Sequence, residues 1–256
     1  MIDIKSYDYY NKIAFEYDSQ YKEPYWDLYH EITKRLIKDI INNEKNNVLD
    51  LGSGTGFWAE FFLHLEHNVT IAEPSKNMIE ICKEKLKEFS NVNYFNCFAE
   101  NLPFENDSFD IVNAQGDVLS YVESFDKSMK EIKRVLKNNG ILIASVDSFY
   151  SFAADFISNG EFLDFEEMIK RGFLPIGSES GVFNSHPFSV DEIYGVAEKY
   201  NFKLIDIAGK MVLGPYENAI IKRNFEKICD YEYSYCRNKG FIGRSEHIHF
   251  VLKKFS

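Results

Sequence analysis

Val48-Leu49-Asp50-Leu51-Gly52-Ser53-Gly54-Thr55-Gly56-Phe57-Trp58 runs from a buried-strand pattern through three alternate glycines into a helix. Glycine has no Cβ, so a strand-to-helix turn built from it reaches backbone angles closed to other residues and lets a ligand approach the main chain. A nucleotide-like ligand is therefore expected at this strand end. The dinucleotide fingerprint Gly-x-Gly-x-x-Gly sets its third glycine for helix packing and its helix N-terminus against a pyrophosphate. Here the third glycine, Gly56, comes one residue early. Asp50, two positions ahead of Gly52, is badly placed beside a pyrophosphate and well placed near a cationic ligand.

Outward from the turn, short apolar runs alternate with amphipathic stretches, the pattern of a mostly parallel sheet covered by helices. Residues 48–51 read as the first strand, 57–67 as a helix, and 69–73 as a second strand ending in the acid Glu73. Ser75, after Pro74, is the expected N-cap of a helix whose buried stripe is Met78, Ile79, Cys82, Leu86 and Phe89. Residues 92–98 and 109–114 read as the third and fourth strands. Ser124 caps a helix carrying Met129, Ile132, Val135 and Leu136, with Gly140 suited to a left-handed cap before a fifth strand at 141–146. After Asp147 the alternation breaks into a phenylalanine-rich segment reaching to about Ser189, read as a cap inserted into the sheet domain. A helix at 190–200, a strand at 202–207, a helical stretch at 220–237 and a strand at 247–252 follow, the last two strands joined without a parallel crossover.

The 256 residues suit one α/β domain with an insertion, and 45% hydrophobic with 27% charged residues is a globular composition. A formal charge of −11 works against phosphate backbones, so no nucleic-acid partner is expected. Lys133, Arg134 and Lys137 cluster, but at a helix C-terminus, where cations are at home. Cys82, Cys97, Cys229 and Cys236 form no Cys-x-x-Cys pair and have no histidine at metal-like spacing, so neither a disulfide framework nor a metal is expected. Charges near the N-terminus and the lack of an apolar run of spanning length predict a cytoplasmic chain with no membrane partner; monomer and homodimer both stay open.

Asp50-Leu51-Gly52-Ser53-Gly54-Thr55-Gly56 resembles the first motif of class I S-adenosylmethionine-dependent methyltransferases. Ala99-Glu100-Asn101-Leu102-Pro103-Phe104 with Asp107-Ser108-Phe109-Asp110-Ile111-Val112 is similar to the adenine-side motif and fourth strand of those acting on quinones and other small molecules. The likeness covers about residues 7–146 and, more loosely, 245–252. It implies an α/β, Rossmann-like, seven-stranded mostly parallel sheet with helices on both faces, an antiparallel last strand, and S-adenosylmethionine as cofactor. One domain over 1–256 is expected, with an N-terminal lid at 1–30 and a substrate cap at about 147–189.

Expected cofactor contacts are Asp50, Gly52, Ser53, Gly54 and Gly56 in the turn and Glu73, whose carboxylate can accept from two ribose hydroxyls. Pro74, Ala99 and Glu100 lie toward the adenine; where relatives often carry an acid before the alanine, this chain has Phe98. Gln115 is expected to hold the methionine end mainly through its main chain, with Asp117 facing the acceptor or capping a helix. Tyr17, in the segment resembling the closing helix, puts a ring or hydroxyl near the sulfonium; Trp26 is a weaker lid residue, and core packing suffices for Tyr10 and Phe15. Because the sulfonium supplies the leaving group, the protein need only align, exclude water and provide a base where one is needed. His186, in the cap, is the candidate base, whereas His247 and His249 read as strand residues on one face. The acceptor is expected to be a small apolar or aromatic molecule in a phenylalanine-lined pocket; likeness to ubiquinone and menaquinone methyltransferases permits carbon or oxygen methylation, and resemblance of the lid segment to sugar and glycine N-methyltransferases permits nitrogen. A non-catalytic S-adenosylmethionine sensor or complex subunit is the alternative, and a nicotinamide oxidoreductase is disfavoured by Asp50 and Gly56.

Overall fold

The computed structural model describes residues 4–42 and 44–255. Two helices, α1 (Ser6–Gln20) and α2 (Pro24–Ile40), precede the sheet. β1 (Asn47–Leu51) leads through the glycine turn to α3 (Phe57–His64), β2 (Asn68–Ala72), α4 (Lys76–Lys85) and β3 (Val92–Phe95). A long loop reaches β4 (Phe109–Ala114), then α5 (Val118–Tyr121), α6 (Phe125–Val135) and β5 (Leu136–Asp147). Next come α7 (Phe149–Asn159), α8 (Phe162–Arg171) and the hairpin of β6 (Leu174–Ser178) with β7 (Gly181–Ser185). α9 (Val190–Lys199), β8 (Phe202–Lys210), α10 (Asn218–Tyr235), α11 (Lys239–Ile242) and β9 (His247–Lys254) follow.

Seven strands form one sheet in the order β3-β2-β1-β4-β5-β9-β8, with β9 antiparallel to both neighbours and the other pairings parallel. This is the expected Rossmann-like α/β architecture. Alternate residues of the buried strands serve opposite cores. Leu49, Val112 and Leu142 pack with Met129 and Ile132 of α6 and Ile193 of α9. Val48, Ile111 and Ile143 pack with Ile37 of α2 and Trp58 and Phe62 of α3. Strand order reverses between β1 and β4, and such a switch point opens a crevice at the carboxyl ends of the strands.

Several local boundaries differ from expectation: Leu136 begins β5 instead of ending the helix before it, and β8 runs on to Lys210. The third strand stops at Phe95, three residues before the expected end, because its partner β2 ends at Ala72 and Asn96 turns its side-chain amide to the carbonyls of Glu73 and Pro74. The left-handed residue after α6 is Asn139 (φ 65°), not Gly140. Gly140 is required for another reason: a Cβ there would lie 2.9 Å from the Lys137 carbonyl oxygen and 3.0 Å from that of Asp110. Ser75 and Ser124 do cap α4 and α6, accepting from the amides of Met78 and Lys127. The basic residues after α6 begins are tied down internally, Arg134 to Glu131 and two loop carbonyls, Lys133 to the Tyr200 carbonyl and Lys137 to Asp110.

Candidate active site

The crevice is a cavity of about 460 Å³ between the sheet's carboxyl edge and the two N-terminal helices. Its first wall is the glycine turn, where Gly52, Gly54 and Gly56 all have left-handed φ (66°, 55° and 93°). They do different work. A Cβ on Gly56 would come 2.6 Å from Cys82 Sγ, so this glycine lets α3 pack on α4; it does not line the cavity. A Cβ on Gly54 would meet nothing within 4 Å, and Gly54 does line it. Gly52 is pressed by Val118, whose Cγ2 would be 2.6 Å from an added Cβ.

Glu73, just past β2, stands beside Gly54. Its Oε2 accepts from the Gly54 amide at 3.0 Å and its Oε1 from the Ser75 amide at 2.7 Å. Each oxygen keeps a further lone pair for a ligand hydroxyl. Burial raises its pKa to about 7 against the pull of those two amides. Pro74, Ala99 and Glu100 extend the same wall, and Glu100 Oε1 is held by the Ser124 amide at 3.0 Å. Phe98 stacks edge-on with Tyr7 at 5.0 Å, putting a ring where relatives often carry an acid.

Asp50 is a correction. It sits behind the turn, its Oδ1 accepting from Asn113 Nδ2 at 2.6 Å, and is not among the cavity-lining residues. Paired strands β1 and β4 enclose it, and burial raises its pKa to about 6.

At the other end, β4 delivers Gln115, Gly116 and Asp117. The Gln115 side chain is engaged behind the wall by His249 Nδ1 at 3.3 Å and by Lys210 Nζ at 3.4 Å. Gly116 and Asp117 are consecutively left-handed, their amides each 3.2 Å from Ser145 Oγ. Asp117 Oδ2 lies 2.9 Å from His247 Nδ1, and Asp147 Oδ1 lies 3.8 Å from the same atom. Burial is the strongest single influence on the Asp117 carboxyl and drives it up, but His247, Lys210 and Ser145 together outweigh it and hold the carboxyl below its ordinary range. His247 is raised in turn: burial opposes its charge, and Asp117 outweighs burial. Asp147, buried beside Asp117, is pushed up to about 6. Among the described residues these three are the group whose ligand atoms converge within 4.8 Å.

His247 is the residue that sequence reasoning missed. The alternation placing it with His249 on one face was legible, but the register Asp147↔His247 that carries it to the end of β5 was not. Lys210, fully buried at the end of β8, was missed too. Its Nζ donates to the Tyr29 hydroxyl at 2.5 Å, and burial lowers its pKa to about 7.

His186, expected as the base, lies elsewhere. Its Nδ1 contacts the Gly172 carbonyl oxygen, its Nε2 is 3.3 Å from Glu192, and it does not line the cavity. The hairpin strand β7 carries it toward α9 and away from the crevice. The phenylalanines of α7 and α8 do not line the cavity either, and Phe162 and Leu163 are 58% and 77% exposed. The tyrosines and Trp26 that line it lie on or just after α1 and on α2 and α5, including Tyr10, Tyr17, Tyr21, Trp26, Tyr29 and Tyr121, joined by Phe57 and Trp58 of α3 and by Phe98. Phe15, expected in the core, is 78% exposed on the outer side of α1. Asp18 fastens the end of α1 over the turn, accepting from Thr55 Oγ1 at 2.6 Å and pairing with Lys85 at 2.5 Å.

The donor set fits an adenosyl ligand with a sulfonium: an unblocked glycine, a carboxylate with free lone pairs and a far end of rings and acids suited to a cation. A methyltransferase-domain family matches residues 49–144. An uncharacterized protein of Methanocaldococcus jannaschii is 28% identical over 86% of this chain and 85% of its own. The ubiquinone/menaquinone biosynthesis C-methyltransferase of Haemophilus ducreyi is 33% identical over 48% of this chain and 54% of its own. The chain thus spans about half the length of that quinone methyltransferase. The fold matches a Thermotoga maritima S-adenosylmethionine-dependent methyltransferase, described as a possible histamine N-methyltransferase, with TM-score 0.61 and 18% identity over 97% of this chain and 99% of that one. No helix among the described residues is long and apolar enough to cross a membrane. Residues 49–144 thus match a methyltransferase domain, and the glycine turn and sheet order described above lie within and around that match.

Proposed function

We propose that this chain transfers the methyl group of S-adenosylmethionine to a small aromatic molecule admitted between α1, α2 and the carboxyl ends of β4 and β9. The carrying observation is one cavity with Gly54 and Glu73 at one end and Asp117 and His247, beneath tyrosine rings, at the other. The cofactor supplies an electrophilic methyl on a sulfonium whose neutral sulfur is the leaving group. Glu73 holds the ribose hydroxyls, the main chain of Gly52, Ser53 and Gly54 the turn side, and Pro74, Ala99 and Glu100 border the adenine. Gln115 offers its main chain to the methionine end, and Tyr17 stands by the sulfonium. The Asp117–His247 pair receives the acceptor's proton, in the role expected of His186.

Residues 4–30 act as a lid under this reading, and the 147–189 insertion supports it from outside, through Phe183 of β7 against Tyr9 and Tyr10 at 5.1 and 5.5 Å. Residues 1–3 of the expected lid lie outside the described residues. A quinone ring of the kind the Haemophilus relative's name implies has the required size and aromatic character, and so has the amine in the Thermotoga neighbour's description.

Titration with S-adenosylmethionine, S-adenosylhomocysteine and NAD tests the cofactor end: tight binding of the adenosyl ligands is expected, and binding of NAD alone would overturn the reading. Incubation with isotope-labelled S-adenosylmethionine and a metabolite extract tests transfer. A labelled small product is expected; adenosyl binding without turnover would favour the sensor.

A further inference from the structure

The cavity rings form an unbroken arc. Centroids are 6.3 Å apart from Tyr121 to Tyr10, 5.9 Å from Tyr10 to Tyr17, 4.6 Å to Tyr21, 4.5 Å to Trp26 and 5.6 Å to Tyr29. Tyr29 meets His247 at 4.9 Å. Both ends of the arc arrive at carboxylates, Tyr121 acting on Asp147 and His247 on Asp117. Ring faces and phenol oxygens attract cations, more strongly when desolvated.

Hydrogen-bond accounting exposes a gap at this end. Asp117 Oδ2 lies 2.9 Å from His247 Nδ1 as an ion pair, that nitrogen being itself without a hydrogen-bond partner, and Asp147 Oδ2 accepts from Ser185 Oγ at 2.7 Å. Asp117 Oδ1 is buried without a hydrogen-bond partner, on a residue only 5% exposed that lines the cavity. A carboxylate oxygen in that position is costly until a donor reaches it. Lys210 does not reach it, being engaged by Tyr29 and Gln115. His30, also on the wall, stacks on Phe57 at 4.0 Å and is kept neutral by burial. A quinol would use the rings and could donate a hydroxyl, but would bring no positive charge to match the carboxylates. A divalent ion among Asp117, Asp147 and His247 would match the carboxylates but leave the arc unexplained.

We infer that the acceptor is a small aromatic amine whose protonated nitrogen pairs with the Asp117 carboxylate within the tyrosine arc, and that this nitrogen is the atom methylated. The inference rests on the methyltransferase reading above. The ammonium gives one proton to the Asp117–His247 pair in its neutral-imidazole state. The freed lone pair forms the N–CH3 bond as the S–CH3 bond breaks, its electron pair staying on sulfur to leave S-adenosylhomocysteine.

Calorimetry on the full chain saturated with S-adenosylhomocysteine tests this with 2-phenylethylamine and tyramine against their neutral alcohols, 2-phenylethanol and tyrosol, and against 1,4-dihydroxynaphthalene. Each amine should bind about tenfold to a hundredfold tighter than its alcohol, and Asp117→Asn should abolish most of that preference while retaining S-adenosylhomocysteine. Mass spectrometry with labelled S-adenosylmethionine should then find the label on the amine nitrogen. Equal binding of amine and alcohol, no amine binding, preference for the naphthalenediol, or Mn²⁺ alone displacing the amine at one equivalent would each overturn the inference. The wild-type comparison stands even where Asp117→Asn fails to fold. Failure to bind S-adenosylhomocysteine would instead overturn the methyltransferase reading beneath it.

Discussion

His247 Nδ1, on the antiparallel strand β9, lies 2.9 Å from Asp117 Oδ2, which follows the parallel strand β4; β5 runs between them. The pair exists because the register Asp147↔His247 brings the start of β9 level with the end of β5. Its position at the cavity's edge makes it the group whose titration should govern turnover.

If His247 accepts the proton, His247→Asn should lower kcat by about 10²- to 10⁴-fold while S-adenosylhomocysteine affinity stays within a few-fold. In the wild type the imidazole must first lose its own proton. Its pKa is raised above the usual 6.5 by Asp117, so kcat should climb with pH through a limb above that value, and the limb should vanish in the variant. A pH–rate profile of both proteins checks this.

Lys210→Met should move the same limb. The buried ammonium depresses His247, so removing it should let the imidazole rise further and shift the limb to higher pH. The Tyr29 hydroxyl and Gln115 each lose a partner in this variant, so a lowered Tm should accompany the shift.

Glu73→Ala should weaken S-adenosylhomocysteine binding by about 2 to 4 kcal/mol through the loss of two charge-assisted bonds. The wild-type affinity should also depend on pH. With the carboxyl at about 7 in the free protein, lowering the pH through that value protonates it and weakens binding to hydroxyl donors. Calorimetry below and above neutrality should show tighter binding at the higher pH and a flat profile in the variant.

Gly54→Ala and Gly56→Ala should part company. Both residues have left-handed φ, a strain of about 1 to 3 kcal/mol for a side chain. Only at Gly56 does the new methyl also strike Cys82 Sγ, so Gly56→Ala should lower Tm more, with partial recovery on adding Cys82→Ala. Gly54→Ala should chiefly reduce cofactor affinity. Thermal melts with and without S-adenosylhomocysteine separate the two.

Asp18→Ala should loosen the lid without unfolding the domain. The residue's bonds to Thr55 and Lys85 are half-exposed, worth about 0.3 to 1 kcal/mol, so Tm should barely move. Dissociation of S-adenosylhomocysteine in stopped flow should quicken, as should amide exchange in α1.

Much of the donor end was legible because its parts are local. The strand, glycines and helix of the turn lie within 47–64, and Glu73 follows just past the next strand, so periodicity and glycine chemistry placed them with little help from long-range packing. The misplacements there concern depth. Asp50 and Gly56 belong to the turn but serve its underside, because strand pairing with Asn113 and helix packing on Cys82 turn them inward.

The acceptor end had no such local signature. The phenylalanine-rich insertion drew attention as a pocket, yet the cavity is walled by tyrosines of α1, α2 and α5, while α7 and α8 face outward. His247 and Lys210 looked like ordinary strand residues. By itself, the sequence determined the sheet, its nucleotide-like turn and the carboxylate beside it, since each depends on short-range backbone geometry and side-chain period. Only the tertiary structure decided which acids, rings and histidine share the far end, because antiparallel register between distant strands and the docking of the N-terminal helices bring them together there.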